Sequence, residues 1–162
     1  MTREATNLTV WDSIEADLYT AMTNVKETDG YNYTVKEVVF WGLDDFPFTK
    51  MPPLIGLVIG NEICEDNYMV AGRRCKRDVG IEMWVPAPMQ KRGESTLSRA
   101  YQRLVADIEK TLYVDHTRGG YAEDTEILER APLIDPDARL VGAAIRARVI
   151  YRHLVGDAYT VY

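Results

Sequence analysis

The chain has 162 residues, 46 % of them apolar and 27 % charged, with a formal net charge of −6. That length suits one domain with a substantial core, and no stretch approaches the roughly 20 consecutive apolar residues that cross a bilayer. The acidic balance opposes general attraction to nucleic acid or anionic lipid, although it leaves room for a local basic face.

The first element is a helix over residues 12–27, where Ile14, Leu18, Ala21, Met22 and Val25 recur at helical spacing and Asp12 and Glu15 have the offset of a capping box. After Thr28-Asp29-Gly30 the pattern turns extended, and residues 35–41 are rich in β-branched and aromatic side chains. A loop over 42–53 follows; Pro47, Pro52, Pro53 and the pair Asp44-Asp45 exclude regular structure inside it. Residues 54–59 form a short apolar strand, and Asn61-Glu62 is expected to open a loop. The next strand alternates, with Val79, Ile81, Met83 and Val85 on one face and Asp78, Gly80, Glu82 and Trp84 on the other.

Pro86-Ala87-Pro88 ends that strand, and a second amphipathic helix carries Leu97, Tyr101, Leu104, Val105, Ile108 and Leu112, with Ser95 or Thr96 as its N-cap. A long irregular connection over 113–139 is expected to contain one short strand at 126–130. The last strand runs over 141–152, with Ile145, Ala147, Val149 and Tyr151 facing the core and Arg146, Arg148 and Arg152 facing out. The expected fold is α+β: a mainly antiparallel sheet of four to five strands with two amphipathic helices packed on one face, in the order α-β-β-β-α-β-β. It forms one domain over 1–162, with a core over about 10–155 and flexible ends.

The two cysteines, with only His116 and His153 for company, do not make a four-ligand zinc site or a disulfide framework. Buried, reduced thiols are expected, which agrees with an N-terminus lacking the basic-then-apolar pattern of a secretory signal and with a cytoplasmic location. Register adds to this. If Ile55, Leu57 and Ile59 share a face with Val79, Ile81 and Met83, opposed residues have numbers of even total, and Cys64 and Cys75 do not.

No phosphate-binding glycine motif is present, because Gly56 and Gly60 are not followed by the required residues or helix. Glu62, Glu65 and Asp66 read as a solvated acidic loop, and Asp115-His116 as a loop pair without a serine or cysteine nucleophile. No catalytic, cofactor or metal residue is assigned, and the chain is not expected to be an enzyme. Two basic groups remain, Arg73, Arg74, Lys76 and Arg77 on one strand and Arg146, Arg148 and Arg152 on another; Trp84 and Tyr33 are the only aromatic neighbours suggestive of nucleic-acid stacking. Contact with protein is favoured over DNA, with the outward arginines serving assembly and contributing little to folding. Phe46 and Phe48, set among turn residues, either cap the domain's own core or anchor in a neighbouring subunit.

Several stretches resemble a known family: a helix ending in Gly30-Tyr31, the acidic proline-bearing loop Leu43-Asp44-Asp45-Phe46-Pro47 with Met51-Pro52-Pro53, the apolar strand ending Gly60-Asn61-Glu62, and Val114-Asp115-His116-Thr117-Arg118-Gly119-Gly120-Tyr121 after the second helix. A final strand closes on Tyr151-Arg152. Over roughly residues 10–155 the chain resembles the tail terminator, or tail completion, proteins of tailed bacteriophages. The resemblance implies a small α/β fold, a six-fold homo-oligomeric ring and no cofactor. It also implies partners in the tail tube protein and a head–tail connector or neck protein, no membrane and no specific nucleic acid, and passage from host cytoplasm to the virion. The resemblance carries over no individual residue; the basic groups and the aromatic, acidic loop themselves make Asp44, Asp45, Phe46, Phe48, Arg73, Arg74, Arg77, Arg146, Arg148 and Arg152 the candidate interface residues. The competing class is a small acidic phage or bacterial protein that associates with DNA or acts as an inhibitor.

Overall fold

The computed structural model describes residues 8–40, 52–67, 72–87 and 96–161. The loop residues Asp44, Asp45, Phe46 and Phe48 and the N-cap candidate Ser95 lie outside them. Helix α1 spans Val10–Thr23; strands β1 Glu37–Phe40, β2 Leu54–Asn67 and β3 Gly72–Pro86 follow, then helix α2 Thr96–Val114 and strands β4 Ala122–Asp135, β5 Leu140–Leu154 and β6 Asp157–Val161. None of the described helices is long and apolar enough to cross a membrane.

The strands form one sheet in the order β1-β2-β3-β5-β4, with β6 paired to the end of β5. β1 runs parallel to β2, while the other pairs are antiparallel, so the sheet is mixed. The connection over 113–139 carries a full 14-residue strand in β4, where the sequence suggested a short one. Likewise β6 occupies most of what reads as a loose C-terminal tail.

Both helices lie on one face, and the core forms between them and the sheet. Ile14, Leu18 and Met22 of α1 and Leu104, Ile108 and Leu112 of α2 meet Val79, Ile81, Met83 and Val85 of β3 and Ala143, Ile145, Ala147 and Val149 of β5. Alternation at period two puts every second β3 and β5 residue against the helices at period 3.6. α1 begins earlier than its apolar stripe suggests, because Thr9 and Asp12 make the capping box: the Thr9 hydroxyl accepts from Asp12 N–H and the Asp12 carboxylate accepts from Thr9 N–H. Glu15 instead accepts from the Trp11 indole at 3.0 Å.

β2 continues past Asn61-Glu62. Its pairing with β3 shifts between Ile59 and Glu62, a bulge centred on Gly60, where a Cβ would stand 2.8 Å from the Asp78 carbonyl. That one-residue shift reverses the parity on which the argument against a disulfide rested. Beyond the bulge Cys64 lies directly opposite Cys75, with Cα atoms 4.0 Å apart, and the two form a disulfide.

Candidate functional site

The helix-free face of the sheet collects most of the charge. Alternation sends Arg74, Lys76 and Asp78 of β3 to it together with Arg146, Arg148 and Arg152 of β5, as the strand pattern predicts. The carboxylates that meet these arginines come from the same chain. Arg148 donates from Nε and Nη2 to Asp78 Oδ1 and Oδ2 at 2.8 and 3.3 Å. Arg146 pairs with Glu129 at 3.5 Å, and Glu123 receives both Arg74, at 2.8 Å, and Arg152. Edge strand β4 thus supplies acids where β5 supplies bases.

This pairing changes the expectation for the arginine row. Reversing Arg146, Arg148 and Arg152 to glutamate sets like charges against Asp78, Glu123 and Glu129 across paired strands. The triple variant is therefore expected to melt lower than the wild type, whereas glutamine at the same positions leaves melting nearly unchanged; thermal denaturation of both variants checks this.

Arg77 does not belong to that face. Its guanidinium lies 4.6 Å above the Trp11 ring on the helix side, and 3.9 Å from the Glu62 carboxylate. Arg73 is in register with His153 on β5, also on the helix side. The basic run 73–77 is therefore divided between the two faces. Trp84 is 7 % exposed, and Tyr33 is partly buried against the core, so neither offers a free stacking platform to nucleic-acid bases.

The acidic residues over 62–66 lie on β2, and Glu62 accepts a hydrogen bond from the Tyr151 hydroxyl. Asp115 and His116 do not form a relay. Asp115 accepts from the Thr117 hydroxyl and N–H and from Gly119 N–H, and these bonds, the Thr117 hydroxyl first, hold its pKa down to about 2. His116 instead faces Asp124, Nδ1 to Oδ1 at 3.1 Å. Because the Asp115 pKa is depressed on folding, its stabilising contribution is present above its unfolded value of 3.8 and fades as the pH falls towards 2. Asp115→Asn is expected to flatten the dependence of melting temperature on pH over that window, measured against the wild type across a pH series.

The ends of the strands differ from each other. At the end where β2 finishes and β3 begins, Ile63, Val155 and Tyr159 are exposed. At the opposite end, Leu97 and Tyr101 of α2 face Pro132, Leu133 and Ile134 of β4 across an apolar groove of about 250 Å³. Leu97 and Tyr101 belong to the apolar stripe read for the second helix, but Ile63, Val155, Tyr159 and Ile134 were not singled out from the sequence, since nothing local distinguishes Ile63 or Ile134 from the buried members of the same strands.

No family model and no curated protein sequence matches the chain. Among solved structures it is similar to a chain described as "Virion of native gene transfer agent (GTA) particle", at 13 % identity over 90 % of this chain and 95 % of that one, with a TM-score of 0.33.

Proposed function

We propose that the chain is a structural subunit, without catalytic activity, that associates head to tail with copies of itself into a closed ring. On this reading the ring caps a phage tail tube, ends tube growth and offers a surface for head–tail joining. The observation that carries the self-association is the apolar groove at one end of the sheet and the exposed Ile63, Val155 and Tyr159 at the other. A patch and a pocket on different parts of one molecule make a heterologous contact, which closes into a ring when the rotation permits. The tail-capping role rests on the residue patterns that resemble the tail terminators. The DNA reading is less favoured, because the outward arginines Arg146, Arg148 and Arg152 each meet a carboxylate of the same chain.

Light scattering and negative-stain microscopy over a concentration series test the ring. Ile63→Asp and Ile134→Asp, at positions 66 % and 62 % exposed, are each expected to abolish higher association while changing stability by less than about 0.5 kcal/mol. Mixing the two variants restores dimers and nothing larger, since each retains one intact end. Strict monomers at high concentration, alone and with tube protein, or association indifferent to both substitutions, would overturn the proposal.

A further inference from the structure

Three strands bring Cys64, Cys75 and His153 together at the end of the sheet where β2 finishes and β3 begins. Cys64 and Cys75 are cross-strand partners on β2 and β3, and β5 brings Tyr151 opposite Cys75 with His153 two residues further on the same face. The sulfur atoms and a nitrogen of His153 all lie within 4.8 Å of one another. We propose that the reduced protein binds one soft divalent cation, zinc foremost, through the Cys64 and Cys75 thiolates and His153 Nε2.

The imidazole is set up for this role. His153 Nδ1 lies 2.8 Å from the Leu154 carbonyl, which can only accept, so Nδ1 carries the proton. In the neutral ring Nε2 then holds the lone pair, 3.6 Å from Cys75 Sγ. A ligating histidine held through its other nitrogen by a backbone carbonyl is a recurring arrangement around metals. The separation also fits: Zn–S near 2.3 Å and Zn–N near 2.05 Å at a tetrahedral angle put sulfur and nitrogen about 3.6 Å apart. Thiolate with imidazole selects zinc over magnesium or calcium, which prefer oxygen ligands. Cys75 is fully buried, whereas Cys64 and His153 are half-buried, which leaves the site a path from solvent.

The disulfide and the metal site are alternative states of the same two sulfurs. A small dithiol breaks the S–S bond, supplying two electrons and two protons and becoming oxidised itself; cation binding then displaces both thiol protons. The disulfide belongs to an oxidising compartment and the metal clasp to a reducing one. Either would tie β2 to β3, and the metal would add β5.

The test uses the full chain, reduced with dithiol, desalted without oxygen and titrated with Co²⁺ under far-UV circular dichroism and visible absorption. One equivalent is expected to give the thiolate charge-transfer and ligand-field bands of a tetrahedral site, which zinc then bleaches; the oxidised protein gives neither. His153→Ala should weaken the cobalt affinity by more than the ~10–100-fold that losing an outer-shell partner costs, and His116→Ala should leave it unchanged. Absence of these bands from the reduced protein would overturn the proposal. So would equal binding by His153→Ala or by Cys64→Ser, or a reduced chain that is unfolded and does not fold on adding cobalt.

Discussion

Asp17→Leu is expected to destabilise the protein by about 3 kcal/mol, at the lower end of the cost of leaving a buried charge without its partner, since the Asp17 side chain is itself 30 % exposed. Arg118 is fully buried, its Nη1 lies 3.3 Å from Asp17 Oδ2, and its Nη2 donates to the Leu112 carbonyl at 2.6 Å. The guanidinium thereby pins the C-terminal end of α2 against α1. Its Nε finds no hydrogen-bond acceptor among the described residues. Burial pulls the Arg118 pKa down, with Asp17 and then Asp115 opposing the shift; burial likewise pushes Asp17 up, against the pull of Arg118. Removing Asp17 leaves this poorly solvated cation with its main counter-charge gone. At about 2–4 °C per kcal/mol for a chain of this size, melting should fall by about 6–12 °C. The double variant Asp17→Leu with Arg118→Met should recover much of the loss, because an apolar pair carries no desolvation penalty. Denaturant titration of the two single variants and the double gives the coupling directly, and simple additivity would show that the pair does not act as one unit.

Asp107→Ala is expected to cost about 2–4 kcal/mol, measured by urea unfolding. Asp107 is a buried carboxylate on α2 that accepts from Asn32 N–H at 2.9 Å, Asn32 Nδ2 at 2.8 Å and Tyr33 N–H at 3.0 Å. It holds the turn between α1 and β1 across 75 residues of sequence. Its neighbour Lys110 secures the other half of that turn, donating to the Asp29 and Gly30 carbonyls at 3.0 and 2.9 Å while lying over the Tyr31 ring. Alanine leaves two part-buried backbone N–H groups without an acceptor, each costing about 1–3 kcal/mol. Asparagine keeps one acceptor oxygen and should lose less. Amide exchange at Asn32 and Tyr33 should speed up in Asp107→Ala far more than at Ile81 in the core. A cost below about 1 kcal/mol would mean that the turn holds its shape without α2.

What the sequence by itself determined is the set of local patterns: the apolar stripes of α1 and α2, the alternation of β3, and the outward parity of Arg146, Arg148 and Arg152 on β5. These follow from periods of 3.6 and 2, which a short window displays. The capping box was displaced by three residues, since Thr9 and Asp12 satisfy the same spacing as Asp12 and Glu15 and only backbone geometry separates them. Tertiary structure decided the rest, through strand order and one bulge. Placing β3 between β2 and β5 gave the arginines carboxylates from β3 and β4 and set His153 beside Cys75. The bulge at Gly60 turned Cys64 to face Cys75, a reversal that no alternation count detects because inserting one residue exchanges the two faces of a strand. Arg118 reads as part of a polar loop in Thr117-Arg118-Gly119-Gly120, yet it is buried, because the chain leaving α2 folds back over α1, and the acid it pairs with, Asp17, lies a hundred residues earlier. Such contacts depend on which distant segments meet, and that is settled by packing the whole sheet against both helices.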